Sequence, residues 1–562
     1  MTAAAASASA PMAADQGSRA AMLMQAGGAL LWLPQAALIA FVIGGIAEAG
    51  GWRDALLPTA GVLMLGCARA TLEALGGRRA FLAARASLSR RRGEVVAALA
   101  AGSPLDRDRP ASGLAASVVT EQAEALVPYL ARFAPARFKA TVVPLVILCA
   151  VLPLSWVAAL VLLLAAPLIP IFMALIGWRA KAASEAQLAE TGNLNAFLLD
   201  RLRGLATIRA LGAVDATALR LRANAEDLRA RTMAVLRIAF LSSAVLELFS
   251  ALGVALVAVY VGFHLLDALP FGAWGGRLSL SEGLFILLLA PAFFEPLREL
   301  SSVWHDRAAG QAAIAALDGL SRDGLALVGA NEADRETAAV PGGAIDLRIE
   351  GLCFRHAGAG DVVLDGFDLR VAAGEHVAIL GPSGSGKSTL LALVAGLAPA
   401  DGGAIAIGGT RLGPDSAAGL RRRMAWIGQR PHLFAATLAG NVALGRREAG
   451  AADVSNALRM AALGDLAAVR PGHAIGEGGA GLSGGEGLRL ALARGAANPQ
   501  AGLILADEPT AHLDAGTARE ITERLLAFTA GRTLLVATHD PVLAARMDRV
   551  IRLDLERLEG AA

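Results

Sequence analysis

The chain has 562 residues, is 55% hydrophobic and only 18% charged, and carries 51 basic against 49 acidic residues for a formal net charge of +2. The apolar excess excludes an ordinary soluble globule, and the near-neutral balance gives no support to a nucleic-acid partner. Cys67, Cys149 and Cys353 are far apart and make neither a disulfide framework nor a metal cluster; the first two read as small packing residues in apolar runs.

Residues 1–20, MTAAAASASAPMAADQGSRA, lack the basic-then-apolar order of a cleaved signal and read as a flexible cytoplasmic N-terminus. Residues 21–318 then carry most of the long apolar runs, and six transmembrane helices are expected there. Nothing between Arg19 and Glu48 is ionisable, which suits one span with Pro34 and Gln35 as tolerated exceptions. The second span, ALLPTAGVLMLGCARATLEAL, is completed by Arg69 reaching towards the headgroups. The 39 charge-free residues from Ala140 to Trp178 suit two spans with a break near PLSW, residues 153–156. A fifth is expected over about 238–266 and a sixth over about 284–294.

From Arg69 to Lys139 there are 12 Lys or Arg, whereas the turn near Gly51 has one and residues 267–276 have none. Positive residues favour the cytoplasmic side, so both termini are expected there. The inner segments 70–139 and 179–237, rich in Ala, Leu, Arg and Glu, read as helices that continue past the bilayer. Each has one turn, at 101–113 and 201–212, whose tip is a candidate contact surface for a cytoplasmic motor or an ordinary helix hairpin. Glu247 is the membrane residue that stands out. It reads as a polar wall in a translocation path, or as a carboxylate near the interface or paired with Arg237 or a partner chain. His264, in the same span, is a weaker candidate.

After a linker at 319–342 the pattern changes, and residues 343–562 read as an α/β P-loop ATPase domain. IDLRIEGLCF and VLDGFDLRV look like strands, and HVAIL is an apolar strand leading into GPSGSGKST and a helix. In that loop, Gly381, Pro382, Ser383, Gly384, Ser385, Gly386, Lys387, Ser388 and Thr389, the glycines let the backbone wrap phosphate oxygens. The helix start adds free N–H groups, Lys387 a charge for the β/γ-phosphates, and Ser388 a hydroxyl for Mg²⁺. Leu503 to Ala506 form an apolar strand ending in Asp507 and Glu508. An acid there needs a cation, so Asp507 suits the Mg²⁺ shell, and Glu508 can orient or deprotonate the attacking water. RTLLVATHD places His539 at a strand end, where such sheets keep their ligands.

Together these motifs resemble a half-transporter of the ABC exporter family: six membrane helices, of the type I kind, fused to one nucleotide-binding domain. The resemblance implies that Gln429 contacts Mg²⁺ and senses the γ-phosphate. It implies that Leu482, Ser483, Gly484, Gly485 and Glu486 form the signature, Ala511, His512, Leu513 and Asp514 the D-loop, and that His539 is the switch histidine. It also makes the turns near 106 and 208 coupling helices. In this family two nucleotide domains stack head to tail, so LSGGE serves ATP held by a partner's loop; Ser483, Gly484 and Gly485 can offer a hydroxyl and N–H groups at a helix start. Two departures are visible. Gly487 follows Glu486 where the family often has glutamine at one of these places, and His356 stands where the family usually stacks an aromatic on adenine.

Residues 199–212, 245–265 and 288–313 are similar to CydD-type subunits of the heterodimeric CydDC exporters. That resemblance implies export of small thiols, cysteine or glutathione, from cytoplasm to periplasm across the bacterial inner membrane. It also implies a CydC-like partner, a link to cytochrome bd assembly and an association with haem. The alternatives are a homodimeric exporter of lipid, drug or peptide, and a membrane ABC ATPase acting as a regulator.

Overall fold

The computed structural model describes residues 16–47, 55–169, 171–172, 190, 194, 197–198, 200–202, 204–269, 271–274, 276–321, 324–330, 343–356, 362–429, 431–446, 449–469, 475–476 and 482–553. They divide into two compact units. One runs up to Gly93 and takes in Ala115–Gly319; the other joins Glu94–Leu114 to the residues from Leu320 onward.

The first unit is helical: α1 (Gln16–Leu30), α2 (Trp32–Ala47), α3 (Leu56–Ala101), α4 (Ser112–Thr120), α5 (Ala134–Val151), α6 (Trp156–Ile169), α7 (Val214–Leu265), α8 (Leu280–Ser302) and α9 (Trp304–Leu320) are its main elements, α3 continuing into the second unit. Among the described residues four stretches are long and apolar enough to cross a membrane: Gly17–Ala47, Ser112–Val151, Ala244–Leu265 and Leu280–Leu320. The first is interrupted at Leu31, because Pro34 has no N–H to offer the carbonyl of Leu30. The expected second span is the start of α3, where Arg69 pairs with Glu73 at 3.0 Å and lies 5.6 Å from the Trp32 ring. The break expected near PLSW falls at 152–154, between α5 and the shorter α6. The turn near Gly51, the N-terminal tail up to residue 15, and most of 173–199 lie outside the described residues. Val143, Ile147, Leu162, Val257, Ile286, Leu289 and Phe294 make the core between these helices.

Two expectations need correction here. Cys67 and Cys149 are exposed rather than packed inside, because an apolar side chain in lipid needs no protein cover. Glu247 pairs with Arg298, at 3.4 Å, rather than with Arg237. His264 is buried, and its Nε2 accepts from Leu278 N at 3.2 Å, a fastening for the turn before α8.

The second unit is built on two sheets. Strands β1 (Leu347–Arg355), β2 (Val362–Val371), β4 (Gly402–Ile407) and β5 (Thr410–Arg411) form an antiparallel sheet in the order β2-β1-β4-β5. The other is wholly parallel: β6 (Met424–Ile427), β7 (Leu503–Asp507), β8 (Thr533–Thr538), β3 (His376–Leu380) and β9 (Arg549–Arg552), in the order β6-β7-β8-β3-β9. Every residue of β7 and β8 is buried, as expected for strands covered on both faces. Helices α10 (Lys387–Val394), α11 (Gly484–Ala496) and α12 (Ala515–Thr529) pack on this sheet through Leu391, Leu393, Leu488, Leu492, Ile521 and Leu525.

The turn at 101–113 belongs to this second unit. Ser103 N donates to Leu325 O at 2.7 Å and Leu327 N to Ala101 O at 2.8 Å, an antiparallel pairing of turn and linker. Asp106 accepts from Leu325 N and Asp108 N, and Leu105 and Leu325 pack on the core beneath. Val328 continues the strap: its N–H donates to Gly396 O, just past α10, and its carbonyl accepts from Arg421. Residues 331–342 of the expected linker lie outside the described residues.

Candidate nucleotide-binding site

The loop between β3 and α10 turns on glycines that no other residue replaces easily. Gly384 and Gly386 have φ of +85° and +91°, and a Cβ on Gly386 would lie 2.8 Å from Val363 Cγ1. Lys387 is buried, and its Nζ donates to the carbonyls of Gly381 and Pro382 at 2.9 and 2.8 Å. Ser385 Oγ is buried without a partner. A glycine loop, a buried ammonium, an unpartnered hydroxyl and a helix start together suit phosphate oxygens.

The ends of β7 and β8 supply the acidic half. Ser388 Oγ donates to Asp507 Oδ1 at 2.9 Å. Burial pushes the Asp507 carboxyl above its usual range and the neighbouring Glu508 adds to the rise, while the Ser388 hydrogen bond and Lys387 oppose it. A buried acid beside a hydroxyl, next to a phosphate cradle, fits a small divalent cation, which takes one or two carboxylates and completes its shell with phosphate and water. Among the described residues no group of three or more His, Cys, Asp or Glu makes an all-protein metal cage.

Glu508 leaves the strand in the left-handed region, at φ 46°, while its N–H still donates to Ala537 O at 2.8 Å. A non-glycine residue held there costs on the order of 1 kcal/mol and marks a position fixed by its surroundings. Its carboxylate gathers three partners. Gln429 Nε2 donates to Oε2 at 3.1 Å, His539 Nδ1 lies 3.2 Å from the same oxygen, and Lys387 Nζ lies 3.7 Å from Oε1. Gln429, Asp507, Glu508, His539 and the loop therefore converge at the carboxyl ends of the parallel strands.

The other sequence candidates sit differently. Ser483 caps α11 through a capping box with Glu486, leaving Ser483 and Gly484 exposed. Gly487 is buried, and a Cβ there would touch Leu433 at 3.4 Å. Asp514 caps α12, accepting from Gly516 N and Thr517 N; the Thr517 side-chain hydrogen bond is the main cause holding its carboxyl low. Ala511 and Leu513 lie in the same turn, and His512 adopts φ 62°. His356 packs edge-on to Phe354, with Nε2 3.5 Å from Thr389 Oγ1 and Nδ1 buried without a partner. Burial, with Arg107 as the second cause, pushes the imidazole below its usual range.

Sequence reading missed several contributors. Arg494 donates to the carbonyls of His432 and Asn441 and to Asn441 Oδ1, tying α11 to the loop after Gln429. Its only sequence signal was an arginine on an apolar helix. Arg107, whose charge acts on His356, carried no signal because it lies in a distant segment, and Thr389, read only as part of the phosphate loop, also meets His356.

The model of the ABC transporter family matches residues 364–511, and that of the ABC transporter transmembrane region matches residues 21–287. The glutathione/L-cysteine transport system ATP-binding/permease protein CydD of Escherichia coli (strain K12) is 38% identical over 442 residues, 78% of this chain and 74% of that protein. The corresponding CydC of Bacillus subtilis (strain 168) is 33% identical over 76% of this chain and 72% of its own length. A solved bacterial Atm1-family ABC exporter with ATP bound shares the fold, with a TM-score of 0.72 at 23% identity over 94% of this chain and 93% of that one.

Proposed function

The chain belongs to the ABC exporters, ATPases that drive transport across a membrane, and on that premise we propose that it is half of a two-chain pump exporting small thiols from the bacterial cytoplasm. The observation that carries the cargo is the extent of similarity to CydD: it covers 78% of the chain, more than the nucleotide domain alone could supply. Similarity to CydC as well supports a second, related half as partner. In this reading the chain spans the inner membrane with both termini and the ATPase domain in the cytoplasm, and its export activity supports cytochrome bd assembly. Haem association follows from the resemblance only, and no residue is assigned to it.

ATP, when bound with Mg²⁺, supplies the free energy of phosphoryl transfer. Gly381 to Thr389 wrap its phosphates, and Lys387 neutralises them. Ser388, Asp507 and Gln429 would hold the cation. Glu508, oriented by Gln429 and His539, takes the proton of the attacking water. His356 faces the base. Leu482 to Glu486 close over the partner's nucleotide, the exposed helix start at Ser483 and Gly484 offering its N–H groups there. The D-loop, Ala511 to Asp514, lies between the two sites.

ATP-dependent accumulation of radiolabelled cysteine or glutathione in inverted vesicles tests this reading. The chain coexpressed with a CydC-like half should accumulate thiol, and the chain alone should not. Accumulation by the chain alone points to a homodimeric exporter. ATP hydrolysis with no accumulation of thiol points to another cargo or to a regulator.

A further inference from the structure

We infer that Arg298, Glu247 and Glu295 bind the α-ammonium and α-carboxylate group that cysteine shares with the γ-glutamyl end of glutathione; this deepens the thiol-export reading and rests on it. The three residues lie on α7 and α8. Arg298 Nη2 donates to Glu295 Oε2 at 2.5 Å, and Nη1 lies 3.4 Å from both oxygens of Glu247. The second contact is long, near the limit of a hydrogen bond. Arg298 Nε is buried with no hydrogen-bond partner among the described residues. The guanidinium is therefore firmly held on one side and loosely on the other. The Arg298 side chain is 31% exposed, against 66% for Glu247 and 65% for Glu295.

The exposed surface of α7 shows which way this group faces. At about 100° per residue, Ala244, Ala251 and Ala255 fall within roughly 80° of Glu247. Leu248, Leu252, Leu256, Val259 and Phe263 lie roughly 100–180° away from it. All are exposed, so over residues 244–263 the open face has two sectors, one small and acidic, the other large and apolar; the exposed Phe240 and Leu265, roughly in line with Glu247, bound the small sector at its two ends. The large sector suits lipid chains. A carboxylate does not, and membrane carboxylates are retained where they face a cavity or a partner. The small sector flanks Glu247, which meets the Arg298–Glu295 pair of α8, and its small side chains leave room for a ligand beside the charges. The nearby Lys139–Glu299 pair, at 2.5 Å, is closed on itself.

A zwitterion matches this arrangement. Its carboxylate takes Arg298 and its ammonium takes Glu247, exchanging one 3.4 Å pair for two charge-assisted hydrogen bonds. Because this headgroup is neutral overall, the charge of the site is unchanged. An anion lacking the ammonium leaves Glu247 unpaired, and a cation lacking the carboxylate leaves Arg298 with Glu295 alone. The headgroup, rather than the thiol, is what the charges read.

The test uses the coexpressed pair in inverted vesicles, with uptake of radiolabelled cysteine competed by unlabelled cysteine, cysteamine (no carboxylate) or 3-mercaptopropionate (no ammonium). For the native pair, cysteine should compete better than either analogue by on the order of tenfold or more, the size expected for a charged hydrogen bond. Arg298→Gln should erase the advantage over cysteamine, and Glu247→Gln the advantage over 3-mercaptopropionate. Arg298→Lys should retain part of it. Ala251→Leu fills the small sector without altering charge and should lower uptake while Arg298 is intact. If a charge variant transports too little to assay, protection of the purified pair against thermal unfolding by the same three compounds gives the same comparison. Arg298→Gln and Glu247→Gln pairs that keep full discrimination overturn the site while leaving thiol export standing. Absence of any thiol uptake by the native pair overturns the export reading, and the inference with it.

Discussion

The parallel sheet of the nucleotide unit and the long helices of the membrane unit use the same apolar residues for opposite surroundings. In β7 and β8 every side chain is hidden, and the polar residues stand at the strand ends, as with Asp507 and Thr538. In α7, Leu248 is 63% exposed and Leu252 49%, and Glu247 is the one Asp, Glu, Lys or Arg within the apolar stretch Ala244–Leu265. The lesson is shared. A charge placed where its solvent makes it costly marks chemistry, at a strand end in the sheet and part-way along a helix in the membrane. What differs is specificity. A phosphate cradle demands particular residues at particular spacings, whereas a translocation path demands only polarity in the right place.

The largest effect expected on that comparison comes from Glu508→Gln. The carboxylate sits among Gln429, His539 and Lys387, in a backbone conformation that only its surroundings hold. Losing a general base lowers turnover by about 10²–10⁴-fold. Steady-state ATPase of the coexpressed pair should fall accordingly at the site this chain supplies, while nucleotide binding, read by equilibrium dialysis, is retained. Undiminished turnover at that site would remove Glu508 from the hydrolytic role and break the claim that the strand end is where the chemistry lies.

How far the sequence could be read follows the same division. The loop at 381–389, β3 and the acids after β7 were legible because glycine spacing, strand hydrophobicity and terminal charges are local properties. β4, β6 and β9 were not singled out, being short segments whose pairing is decided by distant neighbours. Among the helices, the break at 152–154 was visible as Pro and Ser in a long apolar run. The Glu247–Arg298 pair was not, because 51 residues separate its members and nothing local announces their meeting. The membrane cysteines were misread for a physical reason: burial inside protein and immersion in lipid leave the same apolar signature in a sequence.

A smaller effect concerns the strap between turn and nucleotide domain. Asp106 accepts from Leu325 N at 3.2 Å and from Asp108 N at 3.0 Å, so Asp106→Ala leaves both donors without that acceptor. The expected local cost is about 1 kcal/mol. Hydrogen exchange at Leu325 should speed up by roughly fivefold on that basis, while exchange within β7 and β8 stays unchanged. Equal acceleration in those strands would mean that the turn and the sheet core unfold as one, and the strap is not a separate unit of stability.

The smallest expected effect is at His356, and it sharpens the contrast between residues that a site requires and residues it tolerates. The imidazole packs against Phe354 and faces Thr389, while burial and Arg107 hold it below its usual range. It is therefore neutral at pH 7, a flat uncharged ring beside the phosphate loop. As a base platform it offers less surface than tyrosine. His356→Tyr should tighten ATP binding and His356→Ala weaken it, each by less than about 1.5 kcal/mol, with turnover at saturating ATP unchanged. The sign of the acid response follows from the lowered value: the unfolded chain takes up the proton first, so as pH falls through the ordinary histidine range this group withdraws stability from the folded domain. His356→Ala should abolish that part of the acid sensitivity, read as a smaller drop in thermal stability between pH 7.5 and about pH 6. Unchanged ATP affinity in the alanine variant, together with a changed acid response, would assign His356 to packing against Phe354 and leave base contact to another group.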